Sequence, residues 1–254
     1  MRLLALDVGN SAFHAGLLAD RRPQWRGRLP LGQADEFPGW LAGLFDRQGE
    51  EPPEHAVFCS VVPGQNGAVR EALEGLGCRV AQVRGDSPVG LRNRYRDPSQ
   101  LGADRLAAAV GAYRLAGGPV VVADAGTALT VDAVSGAGEF LGGAIWVGPQ
   151  TGLAALRRSA AQLDFPVGKP ALPGTDTASC LAAGAHWGTA GAVRELAARL
   201  REVIGTGAPL VLTGGAAGDL AAVLPFARLE PDLVLIGLAW CWEAMREANR
   251  RMSG

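Results

Sequence analysis

Two aspartates stand where apolar, strand-like runs end. Asp7 closes "RLLALD" and leads into Val8-Gly9-Asn10-Ser11, while Asp124 closes "VVVAD" and leads into Ala125-Gly126-Thr127. A second apolar run follows each turn, "AFHAGLL" in one case and "ALTVDAV" in the other. Glycine at 9 and 126 permits close approach of the backbone to a ligand. Successive N–H groups in such a turn form an anion-binding nest, helped here by Asn10, Ser11 and Thr127. A carboxylate beside a phosphate nest would oppose the anion unless a cation lay between them. The chemistry that fits is magnesium bound to nucleotide phosphates. Asp-Gly and Gly-Asn also serve as plain turn residues, but two such turns at matching places favour the ligand-binding reading.

A third glycine feature, Gly214-Gly215, follows the run "PLVLT" and precedes a helix start. Two small residues there would let a flat adenine ring lie against the backbone; a tight strand–helix turn explains them equally well. The full Gly-x-Gly-x-x-Gly fingerprint is absent, which disfavours a dinucleotide fold.

Composition removes other chemistries. Lys169 is the only lysine and lies in a proline-flanked loop, so a Walker loop, a protein-kinase strand lysine and a pyridoxal Schiff base are all disfavoured. Cys59, Cys78, Cys180 and Cys241 are scattered without metal-ligand spacing and are expected as reduced thiols in or near the core. His14, His55 and His186 are isolated, so neither a zinc site nor a Ser-His-Asp triad is expected. A net charge of −1 without a basic stripe gives nucleic-acid binding no support. A strand-like run directly after Met1-Arg2 argues against a signal peptide. The apolar stretches fall short of the roughly 18 residues that a membrane helix needs. A cytoplasmic protein is expected.

The elements that must position these residues alternate between strands and helices. Strands are predicted at residues 2–7, 12–18 and 24–29, a helix at 34–47, a strand at 55–60, a helix at 66–76 and a strand at 79–83. A polar loop, "RGDSPVGLRNRYRDPSQLG", precedes a helix at 103–116. Strands at 120–124, 129–134 and 139–147 then restart the pattern. Helices follow at 150–162 and 177–203, a strand at 210–213, and helices at 216–224 and 232–249. The two halves open alike, and Asp7 and Asp124 are offset by 117 residues. An internal repeat at this scale predicts a duplicated α/β fold with a cleft between domains at 1–117 and 118–254.

The turn Asp7-Val8-Gly9-Asn10-Ser11 resembles the phosphate motif of the acetate and sugar kinase, Hsc70 and actin superfamily. Together with "YRDPSQLGADR", "DAGTALTVDAV", "GGAIWVGPQTGLAAL" and "TGG", the chain resembles the type III pantothenate kinases from end to end. The resemblance implies duplicated ribonuclease-H-like (actin-like ATPase) domains and ATP-dependent phosphorylation of pantothenate, the first step of coenzyme A biosynthesis. It implies that Asp7 acts through Mg2+, with Gly9, Asn10 and Ser11 on the ATP phosphates. It gives Asp104 the role of base on the pantothenate hydroxyl. Tyr95, Gly102, Ala103 and Arg105 join Asp104 in the pantothenate pocket. Asp124 is implied to hold a monovalent cation, K+ or NH4+; Gly126 and Thr127 form the second phosphate loop, and Gly214 and Gly215 belong to the nucleotide site. Thr177 corresponds to a substrate-contacting threonine supplied by the neighbouring subunit of a homodimer.

The chemistry of the pair at 104 and 105 agrees with those roles. An alcohol acceptor needs a positioned base, and an aspartate with an ordinary pKa of about 3.9 is ionised at neutral pH. A guanidinium can hold a substrate carboxylate in a fork. The bland alternative is an acid near a helix start with a surface arginine beside it. The chain departs from the family pattern at Ser11, Ala12, Val147 and Asp176, and none of these removes a carboxylate implied in catalysis. The competing functions are a non-catalytic accessory regulator of the same family and another small-molecule kinase of the superfamily.

Overall fold

The computed structural model describes residues 2–163, 166 and 168–253. Two compact units divide the chain. Unit 1 comprises residues 1–115, 138–140 and 232–254, and unit 2 comprises 116–137 and 141–231.

Unit 1 begins with β1 (Arg2–Val8), β2 (Ala12–Ala19) and β3 (Arg22–Pro30), followed by a 3-10 turn at Leu31–Glu36 and α1 (Phe37–Gln48). The chain continues through β4 (His55–Ser60), α2 (Asn66–Gly75) and β5 (Arg79–Val83). The sheet order is β3-β2-β1-β4-β5. β1 is antiparallel to β2 and parallel to β4.

Strand period decides what each face carries. Leu4, Leu6 and Val8 join Ala56 and Phe58 in a buried cluster with Phe37 and Leu41 of α1 and Val69 and Leu73 of α2. Asp7 therefore belongs to the opposite face, together with Leu3, Ala5, Val57 and Cys59. His55 shares that face and lies against Trp242, with ring centroids 5.1 Å apart. Trp242 is part of the last helix, Leu233–Ser253, which covers this face from within unit 1. Sequence order places that helix with the second half, but its Leu235 methyl comes within 3.0 Å of a Cβ built on Gly16 of β2.

The polar loop contains a two-residue strand, β6 (Arg92–Asn93), paired with Glu139 and Phe140, and leads to α3 (Ala103–Ala116). α3 and the last helix touch backbone to backbone. A Cβ on Gly237 would lie 1.8 Å from the Ala107 carbonyl, so only glycine permits this approach.

Unit 2 repeats the order with β7 (Val120–Ala125), β8 (Ala128–Val134), β9 (Glu139–Val147), α4 (Pro149–Ser159), α5 (Thr177–Ile204), β10 (Leu210–Thr213), α6 (Ala217–Ala221) and β11 (Ala227–Leu229). The last helix is α7. The order β11-β10-β7-β8-β9, with β7 antiparallel to β8 and parallel to β10, matches that of unit 1. Val121, Ala123 and Ala125 pack with Ala190 and Val193 of α5 and Leu220 of α6. Asp124 is again left on the other face.

Several boundaries differ from expectation. The helix expected from residue 34 has its α turns only from Phe37, after the 3-10 turn. The helix at 150–162 ends as α at Ser159 and continues as a short 3-10 turn at Ala161–Leu163. β6, of two residues, and β11, of three, are too short to show a strand pattern in the sequence. Cys59, Cys78 and Cys241 are buried, but Cys180 is exposed. No helix among the described residues is long and apolar enough to cross a membrane.

Candidate active site

In unit 1 the strand register brings three side chains to one level. Asp7 lies opposite His14 on β2 and opposite Cys59 on β4. The Cys59 thiol donates to Asp7 Oδ1 at 3.4 Å, and His14 Nδ1 lies 3.7 Å from Oδ2. Burial first, then the Asp7 and Asp104 carboxylates, push the Cys59 thiol well above its ordinary pKa. The turn that follows closes with Gly9 N–H donating to the Ala12 carbonyl at 3.0 Å. Asn10 and Ser11 are exposed. A Cβ on Gly9 would meet nothing nearer than 3.5 Å, so the protein itself leaves space there.

Asp104 stands in the first turn of α3. The Gly102 carbonyl accepts from Leu106 N–H at 3.1 Å, which makes Gly102 the start of the helix. Asp104 Oδ1 accepts from the Arg105 backbone N–H at 2.8 Å. A Cβ on Gly102 would fall 2.6 Å from that oxygen, so glycine clears the space in which the carboxylate folds back. Burial, reinforced by the nearby Asp7 charge, lifts the Asp104 pKa from 3.8 to about 6; the Arg105 backbone and guanidinium oppose the rise. The carboxylate is still mainly ionised at neutral pH, yet it is a stronger base than an ordinary aspartate. Ala103 is buried at the helix start.

Arg105 is 9% exposed and donates from Nη1 to the Tyr95 hydroxyl at 2.8 Å. Its guanidinium carbon lies 5.7 Å from the Tyr95 ring centre and 5.8 Å from that of Phe140. Both aromatic faces suit a cation. Tyr95 is held in turn by Asn93, whose Oδ1 accepts from the Tyr95 N–H at 2.9 Å. Asn93 Nδ2 donates to the Gly85 carbonyl at 2.9 Å and the Pro98 carbonyl at 3.4 Å. One amide thus ties three parts of the loop that precedes α3.

In unit 2 the corresponding carboxylate, Asp124, pairs in register with Thr130 and Thr213. Gly126 N–H donates to the Ala128 carbonyl at 3.0 Å. Gly214, at φ +96, packs so closely that a Cβ would lie 2.3 Å from Asp124 Oδ1 and 2.7 Å from the Ala125 backbone. The glycine is therefore required by internal packing, whereas Gly215 is exposed and has open space. Thr177 opens α5, where Asp176 and Ser179 form a reciprocal cap, so the departure at Asp176 keeps a good helix start. Thr177 lines an apolar groove of about 550 Å³ with Trp146, Leu153, Leu156, Leu181 and Thr189. Trp146 is 60% exposed and Leu156 47%.

The structure thus brings Asp7 and Asp104 into electrostatic contact and joins Arg105 to Tyr95 in unit 1; in unit 2 it groups Asp124, Gly126 and Gly214 and puts Thr177 in an apolar groove. Cys59, His14, Asn93 and Phe140 were missed by sequence reasoning. Only strand register could have pointed to Cys59 and His14, through their places opposite Asp7.

Among the described residues no cluster of three or more His, Cys, Asp or Glu could hold a metal. An ion at Asp7 would have to complete its shell with substrate oxygens and water, as magnesium does with nucleotide phosphates. The Asp7 side chain is 16% exposed, a hard oxygen donor at an open turn, and fits that ion. At Asp124, glycine at 126 and 214 keeps side-chain carbon away from Oδ1, and backbone oxygens would have to supply the rest of a shell.

The family model for type III pantothenate kinase matches residues 3–199. A type III pantothenate kinase of Roseiflexus sp. (strain RS-1) is 37% identical, with 96% of this chain and 99% of the relative aligned. One from Desulfovibrio desulfuricans is 38% identical, with 93% and 94% aligned. Among solved structures, a conserved protein of the Baf transcriptional-activator family from Campylobacter jejuni superposes with a TM-score of 0.63 at 21% identity, covering 97% of this chain and 99% of that one. The activator of the 2-hydroxyisocaproyl-CoA dehydratase from Clostridium difficile, with bound ADPNP, gives 0.59 at 14% identity, covering 100% and 97%. At such identities the likeness speaks to the fold, which is the duplicated ribonuclease-H-like arrangement of actin-like ATPases. With its family model and near full-length relatives agreeing, the chain belongs to the type III pantothenate kinase family.

Proposed function

We propose that the protein transfers the γ-phosphoryl group of ATP to the hydroxyl of pantothenate, giving 4'-phosphopantothenate and ADP in the first step of coenzyme A biosynthesis. The observation that carries this reading is the Asp104–Arg105 pair at the start of α3, in a chain of this family. Asp104, with a pKa of about 6, takes the hydroxyl proton as the oxygen bonds to the γ-phosphorus and the bond to the ADP oxygen breaks. Arg105, its guanidinium held by the Tyr95 hydroxyl, pairs with the pantothenate carboxylate. Tyr95, Gly102 and Ala103 shape that pocket.

Gly9, Asn10 and Ser11 in unit 1 and Gly126 and Thr127 in unit 2 supply backbone and side-chain donors to nucleotide phosphates, and Gly215 offers an open backbone surface beside Gly214. When bound at Asp7, magnesium supplies charge neutralisation of the ATP phosphates. Asp124 contributes a carboxylate to a K+ or NH4+ site. The exposed apolar groove around Trp146 and Leu156 supports a homodimer, whose partner would cover it and to whose substrate site Thr177 would contribute. Cytoplasmic location fits the substrates.

The test is ATP consumption by the purified protein with pantothenate, sugars or acetate, in sodium, potassium or ammonium buffer. Turnover with pantothenate alone, stimulated by potassium or ammonium, is the expected result. Turnover with a sugar or acetate, or none at all, overturns the assignment. Light scattering of wild type and Trp146→Glu tests the dimer, which the charge should split.

A further inference from the structure

The Asp7 carboxylate is met by a thiol and an imidazole from the two adjoining strands. Cys59 is 0% exposed, sits in register with Asp7 across a parallel pair and aims its sulfur at Oδ1. A thiol is a weak donor, and a free buried cysteine is most often a small hydrophobe. Here the position gives it a second effect. A carboxylate at the end of a strand can rotate about its last bond unless one oxygen is held, and each rotation presents different lone pairs to an incoming cation. We propose that Cys59 is a positioning residue for Asp7: its S–H holds Oδ1 and so fixes the rotation of the carboxylate that the magnesium–nucleotide complex meets, with His14 beside Oδ2. This rests on the reading of Asp7 as the magnesium-linked carboxylate. A neutral thiol suits this place: a guanidinium there would satisfy Asp7 and compete with the ion.

Three substitutions separate donor from packing. Cys59→Ser keeps a donor but is poorly suited to an apolar site. Cys59→Val fills the space without a donor, and Cys59→Ala does neither. Binding of a non-hydrolysable ATP analogue is followed by calorimetry in magnesium and in EDTA, free Mn2+ is followed by its spin resonance in the presence of ADP, and melting temperatures are recorded separately. Ala and Val are expected to weaken the magnesium-dependent binding about threefold to tenfold, and Ser to stay within about twofold of wild type. Binding in EDTA and binding of pantothenate should not change. A packing role predicts the reverse order, with Val near wild type and Ser the most damaged. If Ser fails to fold, the Val and Ala pair still decides, since a Val variant that binds like wild type overturns the proposal. Asp7→Asn is the control for the reading beneath it. If Asp7→Asn leaves magnesium-dependent binding intact, the role of Asp7 fails. If Asp7→Asn abolishes it while Cys59→Ala and Cys59→Val bind as wild type, the positioning role alone fails. In the Asp7→Asn background, Cys59→Ala should add no further loss.

Discussion

The two strand-end turns share an aspartate, a glycine and a closing backbone hydrogen bond of 3.0 Å, at Gly9 in one and Gly126 in the other. Their surroundings differ. Three residues separate β1 from β2 but only two separate β7 from β8, and Asn10 and Ser11 stand exposed. The second turn is braced from behind. Thr151 Oγ1 donates to the Thr127 carbonyl at 2.6 Å, and a Cβ on Gly148 would lie 2.2 Å from the Gly126 carbonyl and 2.4 Å from that of Thr127. Unit 1 orders its polar groups through side chains, such as Cys59 on Asp7 and Tyr95 on Arg105. Unit 2 adds close-packed glycines, Gly214 against Asp124 and Gly148 against the turn backbone, beside the Thr151 hydroxyl. A duplicated backbone has kept its carboxylates in place while the means of holding them diverged.

The largest expected effect lies in unit 1. Asp104→Asn should cut turnover by about two to four orders of magnitude, the range for a positioned base, while Asp124→Asn should lose much less and mainly flatten the response to potassium or ammonium. Equal losses in the two variants would erase the contrast between the units. The Asn variant should also be more stable than wild type. A carboxyl held at about 6 when folded against 3.8 when unfolded binds its proton more tightly in the native state. Its contribution to stability is fully present below 3.8 and is lost as pH rises through about 6. Above that pH the ionised form costs about 3 kcal/mol. Asparagine at 104 removes the cost, so a melting temperature higher by about 6–12 °C at pH 8, and unchanged at pH 4, is expected. No gain at pH 8 would mean that Asp104 is not strained by its burial.

A steric pair follows. Gly148→Ala forces a carbon onto two carbonyl oxygens and should destabilise the fold by about 1–3 kcal/mol. Gly9→Ala meets ordinary contact distances and should change stability by less than about 1 kcal/mol, while weakening nucleotide binding. Urea unfolding and calorimetric titration of both variants give the comparison. A destabilised Gly9→Ala with normal nucleotide affinity would make the first turn structural and remove its distinction from the second.

The contrast explains what the sequence made legible. The apolar runs "LLALDV" and "VVVADA" each carry one aspartate just before a glycine turn and a second apolar run, and the repetition of that order made the duplicated fold and the two carboxylates legible. Sequence order assigns the last helix to the second half, whereas it packs in unit 1; its apolar face says that it is buried and not against which sheet. Asn93 reads as one more polar residue in a loop; its three hydrogen bonds join residues up to eight positions apart and exist only once the loop has folded. Gly214 reads equally as room for an adenine ring or as a tight strand–helix turn; its close packing on Asp124 is a tertiary fact. Cys59 was missed for the same reason, since a cysteine in an apolar run carries no mark of the strand beside it.

A smaller effect is a shift in a pH profile. Burial and the Asp7 charge hold Asp104 at about 6, so kcat/KM for pantothenate should fall below that pH with a slope of one, as the base becomes protonated in the free enzyme. An ordinary aspartate would keep its activity down to about pH 4. A flat profile between pH 5 and 8, in a protein that stays folded across that range, would show that the environment of α3 does not tune this carboxyl.

The smallest expected change comes from Tyr95→Phe. The phenyl ring keeps its place near the Arg105 guanidinium and Phe140, so the packing survives and only the hydroxyl acceptor is lost. The Arg105 side chain is then less constrained, in a site where its planar donors must meet a carboxylate in two-point fashion. The KM for pantothenate should rise about threefold to tenfold, the scale of one hydrogen bond to a charged group, with the KM for ATP unchanged. Arg105→Lys removes the planar fork itself and should raise the pantothenate KM further, again sparing ATP. If Tyr95→Phe raises both KM values together, or if lysine at 105 does no more harm than phenylalanine at 95, then the side-chain relay from Tyr95 to Arg105 is not what orients the pocket, and the contrast drawn with the backbone-braced unit 2 loses its unit 1 example.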